Sequence, residues 1–375
     1  MPPEVQYMKI AHVSPLFESV PPKLYGGTER VVSYLVEELV RQGHEVTLFA
    51  SGDSFTSARL VPMCRKSLRL SDCADDIPHH VYMIEKIAQL AAGFDVVHFH
   101  TGILHFPLAR RLSAPHVTTM HGRLDQADLK SLATEFSDLP LVSISDSQRL
   151  PWLFMNWAGT VYHGLPSDLL PFSASHQGYL AFLGRISPEK RVDRAIAMAV
   201  AAGVPLKIAA KIDKKDAEYF ETSIKHLFDH PLVEYVGEIG EAEKGAFLGG
   251  AMALLFPIDW PEPFGLTMIE SLACGTPVIA YDHGSVPEVL RQGQTAFIVD
   301  SVEAGAKAIG QVESLSRRQC RHEFERRFSV RTMAKRYVKI YETLISEWEP
   351  RSRQLPNGSR STWQKSSRLA NSTMS

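Results

Sequence analysis

Along the chain, short apolar runs alternate with stretches of helical period, and turns rich in glycine and proline separate them. Residues 8–14 form a short, mainly apolar run that reads as a buried first strand. A loop at 15–27 ends in Gly26-Gly27, and residues 28–43 then carry Val32, Leu35 and Leu39 at helical spacing, closed by a glycine. With a second strand at 45–50, this is the opening of a βαβ unit and hence of a parallel sheet. The pattern predicts a further helix at 79–92, strands at 95–100, 116–120 and 141–145, and a last strand and exit at 161–166.

Residues 166–178, with their serines and prolines, read as a linker, after which the alternation restarts. Strands are expected at 179–183, 206–210, 233–236, 252–256, 277–280 and 296–299, and helices at 189–202, 216–228, 241–248 and 286–291. Two βα runs in succession predict an α/β protein with two doubly wound parallel-sheet domains, residues 1–170 and 177–328, facing one another. Ligands of such sheets bind at the carboxyl ends of the strands, here in the cleft between the domains. Residues 329–348 read as a long terminal helix with Met333, Tyr337, Ile340, Tyr341 and Leu344 on one face. Beyond it, 349–375 has five basic residues, almost no apolar periodicity and Glu349 as its one acid, and reads as a disordered tail.

Composition narrows the picture further. A length of 375 residues exceeds one ordinary core, and a net charge of −2 argues against a nucleic-acid partner. Cys64, Cys73, Cys274 and Cys320 make no CxxC pair or His–Cys metal spacing, which fits a reducing compartment. The opening Met1-Pro2-Pro3-Glu4 has no basic segment leading into an apolar run, and no apolar stretch approaches the roughly twenty residues that span a bilayer. The expectation is a soluble cytoplasmic protein whose membrane association is at most peripheral.

The chemistry concentrates at Pro261-Glu262-Pro263-Phe264-Gly265-Leu266 and the helix expected after it, which carries Glu270. A helix beginning at Gly265 would aim free N–H groups and the positive dipole end at an anion such as phosphate. Glu262, before the helix, would face what the phosphate carries, and Glu270, inside it, would reach another part of the ligand. Two carboxylates also suit a glycoside hydrolase, but there they must converge on one bond, so this placement favours a phosphate-linked sugar. Surface charge is the plain alternative for Glu270, yet Leu266, Met268, Ile269, Leu272 and Ala273 surround it. Arg185 and Lys190, in the loop after the strand at 179–183, either neutralise a diphosphate or belong to a solvated turn. Gly26-Gly27 either lets the backbone approach an anion or is a plain turn with Thr28 as helix cap. His98, His100, His105 and His116 read as structural. His121, between a strand and Gly122, belongs at the cleft mouth.

Several alternatives fall away. No two glycines lie two positions apart, which removes the dinucleotide fingerprint, and no GxSxG elbow occurs. Residues 240–245 have phosphate-loop glycine spacing, but Ala246 stands where the lysine belongs. No two aspartates are separated by one residue, so the Asp-x-Asp metal clamp for a nucleotide sugar is missing.

These residues resemble family 4 of the glycosyltransferases, retaining enzymes of the GT-B fold, and the likeness covers roughly residues 8–348. It is carried by Glu262 and Glu270 as an E-x7-E pair, by Gly184-Arg185 with Lys190, by Gly26-Gly27 and by the run 271–280. Within the family the likeness is to a bacterial subgroup associated with antibiotic and polysaccharide glycosylation. The resemblance implies that Glu262 and His121 attend the transferred sugar, and that Phe264, Gly265 and Leu266 present backbone to phosphates and sugar. It implies that Glu270 takes the ribose hydroxyls, that Arg185 and Lys190 hold the diphosphate, and that Gly27 approaches it from the opposite domain. Val236, with Gly237, is implied at the nucleobase, and the terminal helix is expected to cross back to the first domain. Tyr162-His163-Gly164 departs from the asparagine that many members carry before the glycine. The implied donor is a nucleoside-diphosphate sugar, UDP being the first choice of nucleotide, with no metal and no cofactor. The acceptor would be a sugar, a lipid-linked or a small molecule, chosen by loops 17–25 and 122–134. An epimerase or phosphorylase of the same fold, or a non-catalytic nucleotide-sugar-binding protein, are the alternatives.

Overall fold

Strands that are apolar on both faces need cover on both sides, and the chain builds two parallel sheets in which they have it. The computed structural model describes residues 7–23, 26–71 and 73–348, so Leu24, Tyr25 and the expected tail at 349–375 lie outside the described residues. The first sheet holds β1 (Lys9–Val13), β2 (Glu45–Ser51), β3 (Arg59–Cys64), β4 (Val96–Phe99), β5 (His116–Thr119), β6 (Leu141–Ser143) and β7 (Trp157–Thr160). Their order is β3-β2-β1-β4-β5-β6-β7. The second holds β8 (Tyr179–Arg185), β9 (Leu206–Lys211), β10 (Val233–Gly237), β11 (Ala251–Phe256), β12 (Val278–Tyr281) and β13 (Ala296–Val299), in the order β10-β9-β8-β11-β12-β13. In each sheet the order reverses beside the first strand, between β1 and β4 and between β8 and β11, and the crevice beyond such a reversal is where ligands bind.

One face of the first sheet is covered by the helix Gly27–Arg41 and by the terminal helix Val330–Ser346, which places Met333, Ala334, Tyr337 and Tyr341 in that core. Tyr337 and Tyr341 are fully buried there, and burying side chains of this size contributes about 1.5–3 kcal/mol each. The terminal helix is reached from the second sheet through Leu165, whose N–H donates to Phe328 O at 2.9 Å and whose O accepts from Val330 N–H at 2.8 Å. A second tie is Glu288, which accepts from the N–H groups of Asp146 at 2.7 Å and Ser147 at 2.6 Å.

The elements differ from expectation mainly at the edges. The last strand of the first sheet is β7, not 161–166; half-exposed Trp-Ala-Gly-Thr shows little apolar signal, whereas the buried Val161 and Leu165 that follow it do. Edge strand β3 is absent from the sequence pattern because it is half-exposed and contains Pro62. The helix expected at 216–228 is broken, with a π-helical stretch at Phe220–Ile224 between tighter turns. The helices Val302–Ile309 and Arg317–Arg327 also lie outside the expected set.

Candidate active site between the two sheets

A cavity of about 720 Å³ opens between the carboxyl ends of the strands, lined from both halves of the chain. From the second sheet come Arg185, Lys190, Glu262, Phe264, Gly265, Leu266 and Glu270; from the first come Gly27, His100, His121 and His163. The two candidate glutamates, the basic loop, the glycine and His121 therefore meet in one cleft.

The loop between β11 and the helix Leu266–Ala273 sets the two glutamates apart. Gly265 caps that helix in the left-handed region (φ 79°), and a Cβ there would meet Met268 Cε at 2.6 Å. Gly284 presses on the same loop from behind: its φ is 59°, and a Cβ would stand 2.4 Å from Glu262 N and O. Ser285 completes the clamp, its N–H donating to Glu262 O at 3.0 Å and its hydroxyl to Phe264 O at 2.9 Å. The glycine-and-serine turn that follows β12 thus holds the Glu262–Phe264 loop in place.

Each glutamate is held by a lysine. Glu262 Oε2 accepts from Lys190 Nζ at 2.5 Å and from Trp260 Nε1 at 2.9 Å, with the ammonium also 4.7 Å from the Trp260 ring centroid. Lys190 is brought there by backbone: Asp259 N–H donates to Glu189 O at 2.9 Å, and Arg191, in a left-handed conformation (φ 53°), bonds Asp259 at 2.8 Å. Glu270, 2% exposed, accepts from Lys244 Nζ at 2.6 Å through Oε1, while its buried Oε2 has no hydrogen-bond partner among the described residues. Lys244 stands 3.6 Å from Glu241, and Glu241 pairs with Arg30 of the first half. Arg185 lines the cleft with its guanidinium engaged by Glu189 at 2.5 Å, and with Asp216 and Asp213 at 3.4 and 3.7 Å.

The first sheet contributes neutral rings. His100 Nδ1 is 2.9 Å from His121 Nε2, and His100 Nε2 is 3.1 Å from His12 Nδ1. His98 is fixed by hydroxyls, Tyr341 at Nδ1 and Thr119 at Nε2, both at 2.7 Å. His121 stacks on His163 at 5.3 Å, and His163 meets Phe264 of the second half at 4.9 Å. Burial pushes His12 and His121 down to about 3, and burial followed by the neighbouring rings pushes His98 and His100 well below the ordinary range, so the layer is uncharged at neutral pH. Nitrogens of His12, His98 and His100 lie within 4.8 Å of one another, but the ring–ring and hydroxyl bonds above already occupy those of His98 and the facing pair of His12 and His100.

Gly27 opens its helix opposite Leu266, with Gly26 rather than Thr28 at the cap position. Val236 does not line the cleft. The chain turns at Gly237 (φ 83°), so the following Glu238 and Ile239 reach the cavity while Val236 packs against the second sheet's core. Lys244 and Trp260 are site residues that the sequence alone does not point to. Lys244 falls within the glycine spacing that fails as a phosphate loop, and nothing in its position shows that its helix faces the helix of Glu270.

Profiles of two families match the chain in succession: Glycosyltransferase Family 4 over residues 25–166 and Glycosyl transferases group 1 over residues 172–329. An uncharacterized glycosyltransferase of Methanocaldococcus jannaschii is 25% identical over 288 residues, covering 71% of this chain and 80% of that protein. Glycogen synthase of Mycobacterium tuberculosis is 26% identical over 330 residues, covering 73% and 79%. Among solved structures, AviGT4, a glycosyltransferase involved in avilamycin A biosynthesis, superposes with a TM-score of 0.70 at 21% identity, over 91% of this chain and 99% of its own. HepE of Anabaena, in complex with UDP and glucose, gives 0.69 at 16% identity over 90% and 100%. The shared architecture is the GT-B fold.

Proposed function

Because the chain belongs to the glycosyltransferases that pair a family 4 half with a group 1 half, we propose that it transfers a hexose with retention from a nucleoside-diphosphate sugar, UDP-linked in the first instance, without a metal ion. The observation that carries this reading is the buried Glu270 Oε2, a carboxylate oxygen without a partner among the described residues, at the edge of a cleft with a helix N-terminus at Gly265. A buried acceptor left idle costs about 1–3 kcal/mol, and a ribose hydroxyl donating to it recovers that cost. The first helical N–H groups after Gly265 suit the diphosphate, and Glu262, on the near side of that turn, is left for the sugar hydroxyls. HepE, which shares the fold and was solved with UDP and glucose, supports the same class of donor.

In the proposed reaction the bond from the anomeric carbon to the diphosphate oxygen breaks while the acceptor oxygen bonds that carbon on the same face. The acceptor's proton passes to the departing phosphate. Charge builds on the diphosphate, where Lys190 and Arg185 supply fixed positive groups in place of a metal, and on the ring, where Glu262 is the nearby carboxylate. Both cations have carboxylate partners, so donor binding has to compete for them. Closure of the halves, marked by the contact of His163 with Phe264, would exclude water from the reacting carbon. The halves are assigned as an acceptor-side domain (1–170) and a donor-side domain (177–328).

The test is a thermal-shift screen of UDP-, GDP- and ADP-sugars, followed by mass spectrometry of the donor alone and with inorganic phosphate. Release of nucleoside diphosphate and free sugar supports transfer. An epimerised donor or a sugar phosphate replaces it with the epimerase or phosphorylase reading, and binding without turnover replaces it with a sensor.

A further inference from the structure

We propose that His100 is a positioning residue that, with His12 behind it, fixes the proton of His121 on Nδ1 and so makes His121 a hydrogen-bond donor to the sugar in the cleft. The inference rests on the placement of His121 beside the transferred sugar and adds the device that sets its chemistry.

Three rings form one chain of hydrogen bonds, His12 Nδ1 to His100 Nε2 at 3.1 Å and His100 Nδ1 to His121 Nε2 at 2.9 Å. A neutral imidazole has one N–H and one lone pair, so only two proton arrangements satisfy both bonds at once. In the first, His12 donates to His100, His100 donates to His121, and His121 carries its own N–H on Nδ1. In the second every proton is reversed, leaving Nδ1 of His121 as a lone pair and an N–H on Nε2 of His12. Burial keeps all three rings neutral, which removes a doubly protonated member from the count.

The ends of the chain decide between the two. His12 Nε2 and His121 Nδ1 are both buried nitrogens without a hydrogen-bond partner among the described residues. His12 is 0% exposed in the middle of the sheet, with Tyr341 and His98 packed around it, so an N–H placed there stays orphaned. His121 is half-buried and lines the cleft, so of the two covered nitrogens only its Nδ1 can meet a ligand oxygen, by a small turn of the ring. Orphaned N–H groups are the rarer and costlier defect, so the donor goes to the end that can be satisfied. His98 stops the chain from rotating out of register: it lies 4.0 Å from His100, ring to ring, and hydroxyls hold both of its own nitrogens. His121 is then a donor to a sugar oxygen and not a general base.

Nitrogen-15 NMR of the full chain labelled at histidine reads this directly. At neutral pH the wild-type spectrum should show His121 with a protonated Nδ1 and an unprotonated Nε2. His100→Leu should give a mixture or the reverse, while His100→Asn, whose amide N–H can stand in for Nδ1–H, should keep the wild-type form. With whichever nucleotide sugar the wild type turns over, His100→Leu should lower kcat about tenfold at a donor KM within about twofold, and His100→Asn should restore most of it. A wild-type His121 protonated on Nε2, or one whose tautomer is the same in His100→Leu, overturns the inference. The wild-type spectrum alone decides the first point, even should a variant fail to fold. The tautomer is read without turnover, so failure of the nucleotide-sugar reading in the donor screen is a separate result.

Discussion

On the second sheet's side the cleft wall is ionic, with Lys190 on Glu262, Lys244 on Glu270 and Arg185 on Glu189. On the first sheet's side it is formed by the uncharged rings of His100, His121 and His163, backed by His12 and His98 and tied through them to Thr119, Tyr337 and Tyr341. The difference lies in what each wall can exchange. A lysine holding one carboxylate has further N–H donors to spare, so the ionic wall can admit a charged ligand by re-sharing its pairs. The ring layer has no charge to trade; it offers fixed directions, each locked by the next ring. The first wall suits a charge that comes and goes, the second a neutral sugar that must be oriented.

The comparison is broken most forcefully at Glu262. Glu262→Ala should cut kcat for transfer about a thousandfold while leaving UDP affinity within about threefold by calorimetry; a comparable loss of UDP binding would place Glu262 with the nucleotide instead. The ring layer is probed by acid. With folded values about 3 against the ordinary 6.5, the native His12 and His121 bind fewer protons than the unfolded chain between those limits. Their contribution is therefore full above pH 6.5 and is lost as pH falls toward 3, at about 1.4 kcal/mol per group per pH unit. Urea midpoints at pH 5 should lie well below those at pH 7.5, and equal midpoints would mean that the rings are not buried neutral. Glu270→Ala should weaken UDP about 10- to 100-fold, and Lys244→Ala combined with it should add less than its separate effect, as expected for one coupled pair. Full additivity in that cycle would uncouple Lys244 from the nucleotide site. The smallest expected effect is that of EDTA: turnover unchanged, with a complete, metal-restorable loss overturning the metal-free reading.

The sheets were largely legible because buried strands such as β11 are continuous apolar runs, and the helix at Gly265 because glycine and the apolar period meet there. Edge strands β3 and β7 were not, since half-exposed strands carry mixed residues. At the site, Glu262, Glu270, Lys190, Arg185, Gly27 and His121 are legible from their positions together with the family resemblance, which alone assigns the basic loop and the glycine pair, and all six line the cleft. Val236, which the resemblance alone implies, stands two positions short of the cleft, because the chain reaches the cavity only after its turn at Gly237, at Glu238 and Ile239. Lys244 and Trp260 were missed because their importance lies in a contact, not in a motif.

By itself the sequence determined the α/β class, the two successive βα halves and the stretch that carries both glutamates, for these depend on local period and on spacing along one segment. Which charge neutralises which depended on the tertiary structure. Lys190 and Glu262 lie 72 positions apart, and His98 and Tyr341 lie 243 apart, and such partners meet only when two sheets and a returning helix bring them together. The role of the histidines was decided the same way. His98 and His100 read as structural when taken singly, and it is the chain from His12 through His100 to His121, with His98 packed against it, that puts an ordered set of protons at the cleft.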